Sequence, residues 1–280
     1  MNKNYSNSVC RYLLIKLWED VRWKIIFLFL ALLFFNGTYR INQFCASFSI
    51  AITPWIFPHV LSRISVHYTL IIGFLMILCN LPFWDNDSTF ALTRSGHLAW
   101  GIGVLKTISV VSLFFVGYIF VLSFIFLLPS LSFERGWGKV LMTFAKDNSL
   151  NSQYSPWLSI SNAIVTRYSP FQAILLSLFL EYLCLNILAL IVLLVNLLLK
   201  GNIGIGAGLI TASLDFFIRN DVGDKSIRFS PVSLTNLSVI DPTQTSFFPS
   251  PLYASLFLLC LYVCFCSIAI WIIAKRKYRQ

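Results

Sequence analysis

The sequence predicts an all-α membrane protein, and two observations carry this prediction. The chain of 280 residues is 58% hydrophobic and only 11% charged, whereas a soluble domain is about 45–50% apolar and roughly 25% charged. Six apolar runs follow one another, and a polar segment or a turn separates each run from the next. Because so much apolar surface needs lipid to cover it, we expect a single transmembrane domain over residues 1–280.

Six spans are predicted, one for each apolar run. Polar residues interrupt the first run at 36–40, but a bilayer crossing needs about 20 residues, so we expect this helix to continue toward Cys45. Gly204 and Gly208 lie one helical turn apart in the fifth run and predict close contact with a neighbouring helix. The predicted spans lie near residues 25–45, 66–81, 102–130, 171–199, 203–218 and 252–274.

Residues 9–24 have the periodicity of an amphipathic helix. Leu13, Leu17 and Val21 recur every four residues and define an apolar stripe. The opposite side carries the charged residues Arg11, Lys16, Glu19 and Asp20. This pattern predicts a helix that lies in the cytoplasmic interface and leads into the membrane. The alternative is that these residues are simply the beginning of the first span.

Lysine and arginine gather at the ends of the apolar runs, most densely before residue 25 and after residue 274. Short flanking segments that are rich in these residues face the cytoplasm. We therefore expect a multi-pass protein of the plasma membrane with both termini cytoplasmic. The net charge of +10 suits anionic lipid headgroups and does not indicate a nucleic-acid partner.

Motifs for chemistry are not apparent in the sequence. The seven cysteines form no CxxC pair, and His59, His67 and His97 are scattered over different loops and spans. The glycine cluster at 201–208 lacks the Lys-Ser/Thr ending of a phosphate-binding loop. We therefore expect no enzymatic activity, no metal and no cofactor on this chain.

A polar segment at residues 81–103 separates the second and third predicted spans, and it is cytoplasmic in this topology. Asp85, Asp87 and Ser88 are residue types that cap helix N-termini, so we expect a short helix of about three turns over residues 89–100. One face of this helix would carry Phe90, Ala91, Arg94, His97 and Leu98, with Trp100 at the membrane boundary. Such a helix is either inert or receives force from a soluble partner and transmits it as a rigid-body tilt.

Glu181 is the most unusual residue of the predicted spans, because it lies well inside the fourth, with Asn186 nearby. A carboxylate at this depth is costly, and it usually faces protein or a water-filled cavity. One interpretation is that Glu181 and Asn186 line a translocation path or carry protons. The other is a structural pair with a residue such as Arg40, or a protonated Glu181 between helices. Asp215 is interpreted as an interfacial residue near the outer end of the fifth span.

Four stretches carry a family resemblance: LPFWDND, LTRSGHLAWGIGVLK, FLLPSLSFERGWGKVLMTFA and FSPVSLTNLS. Their features are Pro82-Phe83 after the second span, an Arg-x-Gly loop at Arg94, a Pro followed by Trp-Gly, and Ser-Pro-x-Ser at 230–233. In these features, over about residues 75–260, the chain resembles permease subunits of ATP-binding cassette (ABC) exporters of the type-two class from Gram-positive bacteria.

The resemblance implies that short cytoplasmic coupling helices dock on a separate ATPase subunit, which binds ATP and Mg²⁺. It also implies a second permease copy, or a related permease, across the substrate path. The principal coupling helix would comprise residues 88–99, and a second cytoplasmic contact would lie at Lys200 and Gly201. The implied contact residues of the coupling helix are Ser88, Phe90, Ala91, Arg94, His97, Leu98 and Trp100.

The function implied by the resemblance is export of a hydrophobic peptide, bacteriocin, antibiotic or lipid, driven by ATP hydrolysis on the partner. Two other functions stay open. A secondary transporter would use Glu181 as a proton or ion site, although no inverted repeat relates the two halves of the chain. A membrane immunity or sensor protein would bind a peptide through residues 131–170 and 219–250 and would have no ATPase partner.

Overall fold

The computed structural model describes residues 3–82, 92–155, 157–158, 160–199, 203–218, 224–244 and 247–276. Within these ranges all regular structure is helical, and one isolated bridge joins Ile52 to Leu131. The α-helices are α1 (Lys3–Glu19), α2 (Val21–Phe48), α3 (Phe57–Ser62), α4 (Ile64–Ile77), α5 (His97–Ile125), α6 (Gly138–Lys146), α7 (Asn148–Tyr154), α8 (Asn162–Arg167), α9 (Pro170–Leu199), α10 (Gly204–Phe217) and α11 (Pro251–Arg276). Short 3-10 helices lie at Leu128–Ser130, Asp224–Phe229, Ser233–Thr235 and Leu237–Val239.

Four of the described helices, α2, α5, α9 and α11, are long and apolar enough to cross a membrane. Two shorter apolar helices, α4 and α10, have 14 residues each and are therefore about 21 Å long at 1.5 Å per residue. The predicted all-helical fold class is confirmed for the described residues. The apolar helices indicate a protein embedded in a membrane.

Helix α9 is the centre of the helical assembly, and it contacts α3, α4, α5, α10 and α11. In its most apolar window 72% of the residues are buried, against 28% in α2 and 17% in α11. The exposed sides of α2 and α11 are apolar, with side chains such as Leu28, Leu32, Leu252 and Leu256. Lipid is the medium that suits such surfaces, whereas α9 meets protein on most of its circumference.

The amphipathic helix predicted over residues 9–24 is interrupted at Asp20. The backbone of Asp20 is extended (φ −68°, ψ 126°), and its carboxylate accepts a hydrogen bond from the Arg22 N–H (3.0 Å). Asp20 is therefore the N-cap of α2, and Val21 belongs to α2, where it is exposed. This corrects the predicted helix, because Val21 does not continue the stripe of Leu13 and Leu17.

The remaining apolar stripe of α1 packs on the first half of α5. Leu13 and Leu17 are buried, and a Cβ built on Gly103 would lie 2.5 Å from the Val9 side chain. The Lys106 ammonium donates to Ser6 Oγ (3.0 Å) and Asn7 Oδ1 (2.6 Å). Helix α1 is therefore fixed to protein by apolar contact and by charge-assisted hydrogen bonds.

Helix α2 runs without a break through the polar residues 36–40, as predicted. Gly37 and Thr38 are buried there, and the Thr38 hydroxyl donates to the Phe34 carbonyl (2.9 Å). A Cβ on Gly37 would lie 2.5 Å from the Trp157 ring, so only glycine allows this contact. The polar interruption of this apolar run is therefore the place where Trp157, which follows α5 in the chain, packs on α2.

Residues 50–62 and the described residues of 128–168 form one layer, here called the cap, at the end of the helices where α2 and α5 finish. Thr53 donates to the Trp137 carbonyl (2.7 Å), and the Trp137 indole donates to the Tyr168 carbonyl (2.9 Å). His59 accepts at Nδ1 from the Ser161 N–H (3.2 Å). Burial lowers the pKa of His59 to about 3, because a charged ring is costly away from water, so the ring is neutral.

The C-terminal ends of α4 and α9 and the N-terminal end of α10 meet at Asn196, away from the cap. Its amide donates to the Leu81 carbonyl (2.6 Å) and accepts from the Gly204 N–H (2.7 Å). A Cβ on Gly204 would lie 2.3 Å from the Val192 carbonyl oxygen, and one on Gly208 would lie 3.0 Å from the Val192 side chain. The close approach predicted for Gly204 and Gly208 is confirmed.

We expect Gly204→Ala to lower the free energy of unfolding by about 1–3 kcal/mol, because the added methyl group meets backbone that cannot move aside. Gly206→Ala is the matched control, since its Cβ would meet nothing within 4 Å. It should raise stability by up to about 1 kcal/mol, because glycine costs more conformational entropy in a helix. Unfolding in detergent micelles measures both variants, and equal effects would contradict the packing described here.

Candidate functional site

A histidine and a glutamate meet in the interior of the helical assembly. His67 Nε2 of α4 lies 2.9 Å from Glu181 Oε2 of α9, and both side chains are 1% exposed. Thr235 of the 3-10 segment brings its hydroxyl to 3.5 Å from the same His67 nitrogen. Two helices and one irregular segment therefore supply this cluster, which can hold one proton between His67 and Glu181.

Helix periodicity explains why these side chains point inward. His67 shares the buried face of α4 with Leu70, Ile71 and Phe74. Glu181 lies near the middle of α9, the helix with protein on most sides. A buried carboxylate that lacked its partner would cost several kcal/mol, so the contact with His67 is what makes Glu181 tolerable at this position.

One oxygen of the glutamate is not satisfied. Glu181 Oε1 is buried and has no hydrogen-bond partner among the described residues, and the same holds for Ser177 Oγ. The two residues lie one helical turn apart and therefore on the same side of α9. Buried polar atoms without partners are uncommon, and each one needs an explanation such as a functional role. This side of α9 is therefore a candidate functional site.

Asp215 of α10 forms a second buried contact, because its carboxylate accepts a hydrogen bond from the Ser233 hydroxyl. Asp215 is 3% exposed. The 3-10 segment Ser233–Thr235 folds back over Asp215, and the predicted position of Asp215 at the membrane interface stays a prediction. Ser230 Oγ accepts from the Ser233 N–H (3.1 Å), so the two serines of the Ser-Pro-x-Ser motif together form the turn that covers Asp215.

Both buried contacts adjoin a cleft. The cleft has a volume of about 760 Å³, and it opens between the beginning of α4 and the end of α10. His67 and Asp215 line it, together with the aromatic side chains of Tyr68, Phe216 and Phe217. This volume is within the range of small-molecule sites, roughly 300–1,000 Å³. The contact between His67 and Glu181 therefore lies beside a cavity that a ligand could occupy.

The second predicted path residue, Asn186, does not join the pair. Its amide nitrogen donates to the Tyr182 carbonyl of the preceding turn (2.7 Å). Its Oδ1 is buried and has no hydrogen-bond partner in the described chain. The suggested partner Arg40 is exposed on α2, so the suggested Arg40 pair is wrong and His67 takes that place.

The predicted coupling helix is only partly covered by the structure, because Ser88, Phe90 and Ala91 lie outside the described residues. Residues 92–95 form a helical turn that ends at Gly96 (φ +81°). A helix cannot continue through this conformation, so the single helix predicted over 88–99 is broken at Gly96. His97 and Leu98 instead begin α5.

The predicted contact residues differ in their exposure, and not all of them lie on the surface. Arg94 is exposed, Leu98 is 43% exposed and His97 is half-buried. Trp100 is 3% exposed and belongs to the core, which corrects its predicted place on the contact surface. The second predicted contact, Lys200 and Gly201, lies outside the described residues. The coupling roles of Arg94, His97, Leu98 and the residues outside the described ranges stay predictions.

No family model, no curated protein and no solved structure matches this chain.

Sequence reasoning missed His67, Ser233 and Thr235 as members of the buried cluster. His67 is a polar residue within an apolar run, as Glu181 is, but the sequence does not show that the two side chains are in contact. The sequence separation of 114 residues gave no indication that α4 and α9 are neighbours. Ser233 was part of a recognised motif, but its partner Asp215 could not be inferred from spacing.

Separate replacement of His67 and Glu181 should reveal their contact. We expect His67→Leu and Glu181→Leu each to lower the free energy of unfolding by about 3–5 kcal/mol. The double variant should cost less than the sum, because two apolar side chains leave no buried polar atom unpaired. Unfolding in detergent micelles measures this difference, with His97→Leu as a control that should change little. Additive single effects would contradict a direct contact.

Proposed function

We propose that this chain is the membrane-spanning subunit of an ABC exporter and that a separate ATPase subunit hydrolyses ATP. The four stretches of family resemblance support this function. Among the structural observations, the one that carries the proposal is the junction at Asn196. Leu81 is the first residue of the polar segment at 81–103, and Gly204 follows the predicted turn at Lys200 and Gly201. The two segments proposed to contact the ATPase are therefore attached to the helical core at the same residue.

The proposed topology has six spans. Helices α2, α5, α9 and α11 supply four of them, and α4 and α10 are the cores of the second and fifth. At about 21 Å these two helices are shorter than a hydrocarbon layer of about 30 Å. The buried 3-10 residues Ser233–Thr235, which cover the end of α10, support the proposal, because irregular backbone is tolerated at membrane depth where protein surrounds it.

The proposed location is the plasma membrane, with both termini in the cytoplasm. The basic residues that cluster at the two ends of the chain support this orientation. The packing of α1 on α5 and the hydrogen bonds of Lys106 to Ser6 and Asn7 also suit a basic, cytoplasmic helix boundary. The cap would then lie outside the cell.

The proposed mechanism begins when ATP and Mg²⁺ bind the partner ATPase, which moves the polar segment and the Lys200-Gly201 turn. Asn196 would pass this motion to α4, α9 and α10 together. A second copy of this chain, or a related permease, would complete the substrate path. The proposed cargo class is a hydrophobic peptide, bacteriocin, antibiotic or lipid, since the helices present apolar surfaces with few charges.

Co-purification with a cassette ATPase encoded beside this chain tests the proposal. Arg94→Glu and Leu98→Glu should each weaken recovery of the ATPase by about tenfold or more, because charge reversal and a buried charge both disfavour a docked surface. Arg135→Glu and Phe133→Glu are matched controls in the cap, where both residues are exposed. They should leave recovery unchanged.

Two results would overturn the exporter proposal. One is that the intact chain does not retain the ATPase at all. The other is that the variants at Arg94 and Leu98 retain it as well as the cap controls do. Binding of a peptide to residues 131–170 or 219–250 in the absence of any ATPase would favour the immunity or sensor function.

The buried His67–Glu181 pair favours a second candidate, a secondary transporter that is coupled to protons. Its proton would occupy the position between His67 Nε2 and Glu181 Oε2 and would reach water through the cleft beside His67. Glu181 in a membrane-embedded helix is by itself a functional-site hypothesis.

Transport in vesicles distinguishes this candidate from the exporter. If a proton gradient drives uptake without ATP, Glu181→Gln should abolish it, because the amide cannot take up a proton. Ser177→Ala, one turn away on the same face, is the matched control and should keep at least half of the rate. Gradient-driven transport that persists in Glu181→Gln would exclude this proton site.

A further inference from the structure

An uncompensated positive charge lies at the mouth of the cleft between α4 and α10. Arg63 lines the cleft and is exposed. Among the described residues its guanidinium has no hydrogen bond and no ion pair. Of the two carboxylates close to the cleft, Asp215 is 3% exposed beneath Ser233, and Glu181 contacts His67 in the interior. Arg63 is therefore the exposed charge among the residues that line the cleft.

The backbone adds to this positive charge. Arg63 is the N-cap residue of α4, and no side chain caps this helix terminus by a hydrogen bond. The first N–H groups of a helix have no partner within the helix, and the helix dipole makes this end favourable for an anion. Ser62 and Ser65 line the cleft at the same place. A guanidinium, a helix N-terminus and two serines thus lie at one end of the cleft.

The walls of the cleft are apolar, unlike the end of the cleft at Arg63. Ile64, Phe216 and Phe217 line it, and Phe216 and Phe217 are 52% and 54% exposed. Both phenylalanines end an apolar helix, and Arg63 precedes another. Anionic groups and hydrocarbon chains are joined in one abundant class of membrane molecule, the anionic phospholipids, and basic pockets between transmembrane helices bind their headgroups.

We propose that this cleft binds one anionic phospholipid. Its phosphate contacts Arg63 and the N-terminus of α4, and an acyl chain lies against Phe216 and Phe217. A zwitterionic lipid is disfavoured, because its ammonium group would lie beside Arg63 and would find no accessible carboxylate among the lining residues. This inference does not rest on the proposed exporter function, since any membrane protein with this cleft would bind the lipid.

Lipid retention by the purified full chain tests the proposal. The chain is equilibrated in micelles with phosphatidylglycerol or with phosphatidylcholine of the same acyl chains, and native mass spectrometry counts the bound lipids. We expect phosphatidylglycerol to be retained about fivefold more strongly, which corresponds to roughly 1 kcal/mol for one cation near a lipid surface. Arg63→Ala should remove this preference, and Arg63→Lys should keep most of it.

Arg40→Ala is the matched control, because Arg40 is exposed on α2 and does not line the cleft. It should keep the preference. Ser213→Trp is a second variant, which keeps Arg63 and fills the cleft, and it should lower retention of both lipids. Equal retention of the two lipids by the unaltered chain would overturn the proposal. So would an undiminished preference in Arg63→Ala, or losses of equal size in Arg63→Ala and Arg40→Ala.

Discussion

The burial of α9 is the constraint on which the rest of the structure depends. A helix that meets protein on most sides keeps its polar side chains from water, and two polar residues of α9 bond neighbouring elements. Glu181 has His67 of α4, and Asn196 has the Leu81 carbonyl and the Gly204 N–H. These contacts of Glu181 and Asn196 fix the positions of α4 and α10 along α9.

The two short helices follow from the same constraint. Helices of 14 residues are too short to cross a bilayer of about 30 Å alone, and the backbone beyond them must be satisfied by protein. At the end of α10 the Ser233 hydroxyl donates to the Asp215 carboxylate, and Ser230 Oγ accepts from the Ser233 N–H, so the 3-10 turn at Ser233–Thr235 is held against this helix. The 3-10 turn, the buried Asp215 and the Ser-Pro-x-Ser motif therefore pack together at the end of α10.

The sequence predicted the helical class, the approximate positions of the helices and the close approach at Gly204, because these depend on local hydropathy and residue size. It did not predict that His67 meets Glu181, since periodicity reports the face of a helix and not the identity of its neighbour. The break at Gly96 was missed for a local reason. The pattern of 88–99 is helical, and only a positive φ at Gly96 separates its last residues into α5.

The polar contacts also indicate which parts of the molecule can move together. Helix α4 is tied to α9 near both ends, through His67 and through Leu81, whereas α10 is tied to Asn196 at one end and to the 3-10 turn at the other. Leaving one of these buried groups unpaired costs about 1–3 kcal/mol. The buried residues of α11, by contrast, are apolar, such as Ala254, Leu258 and Ala269, and lipid can replace apolar contacts at little cost. In the proposed transport cycle, a rearrangement should therefore displace α11 against a unit of α4, α9 and α10, and should not separate these three helices from one another.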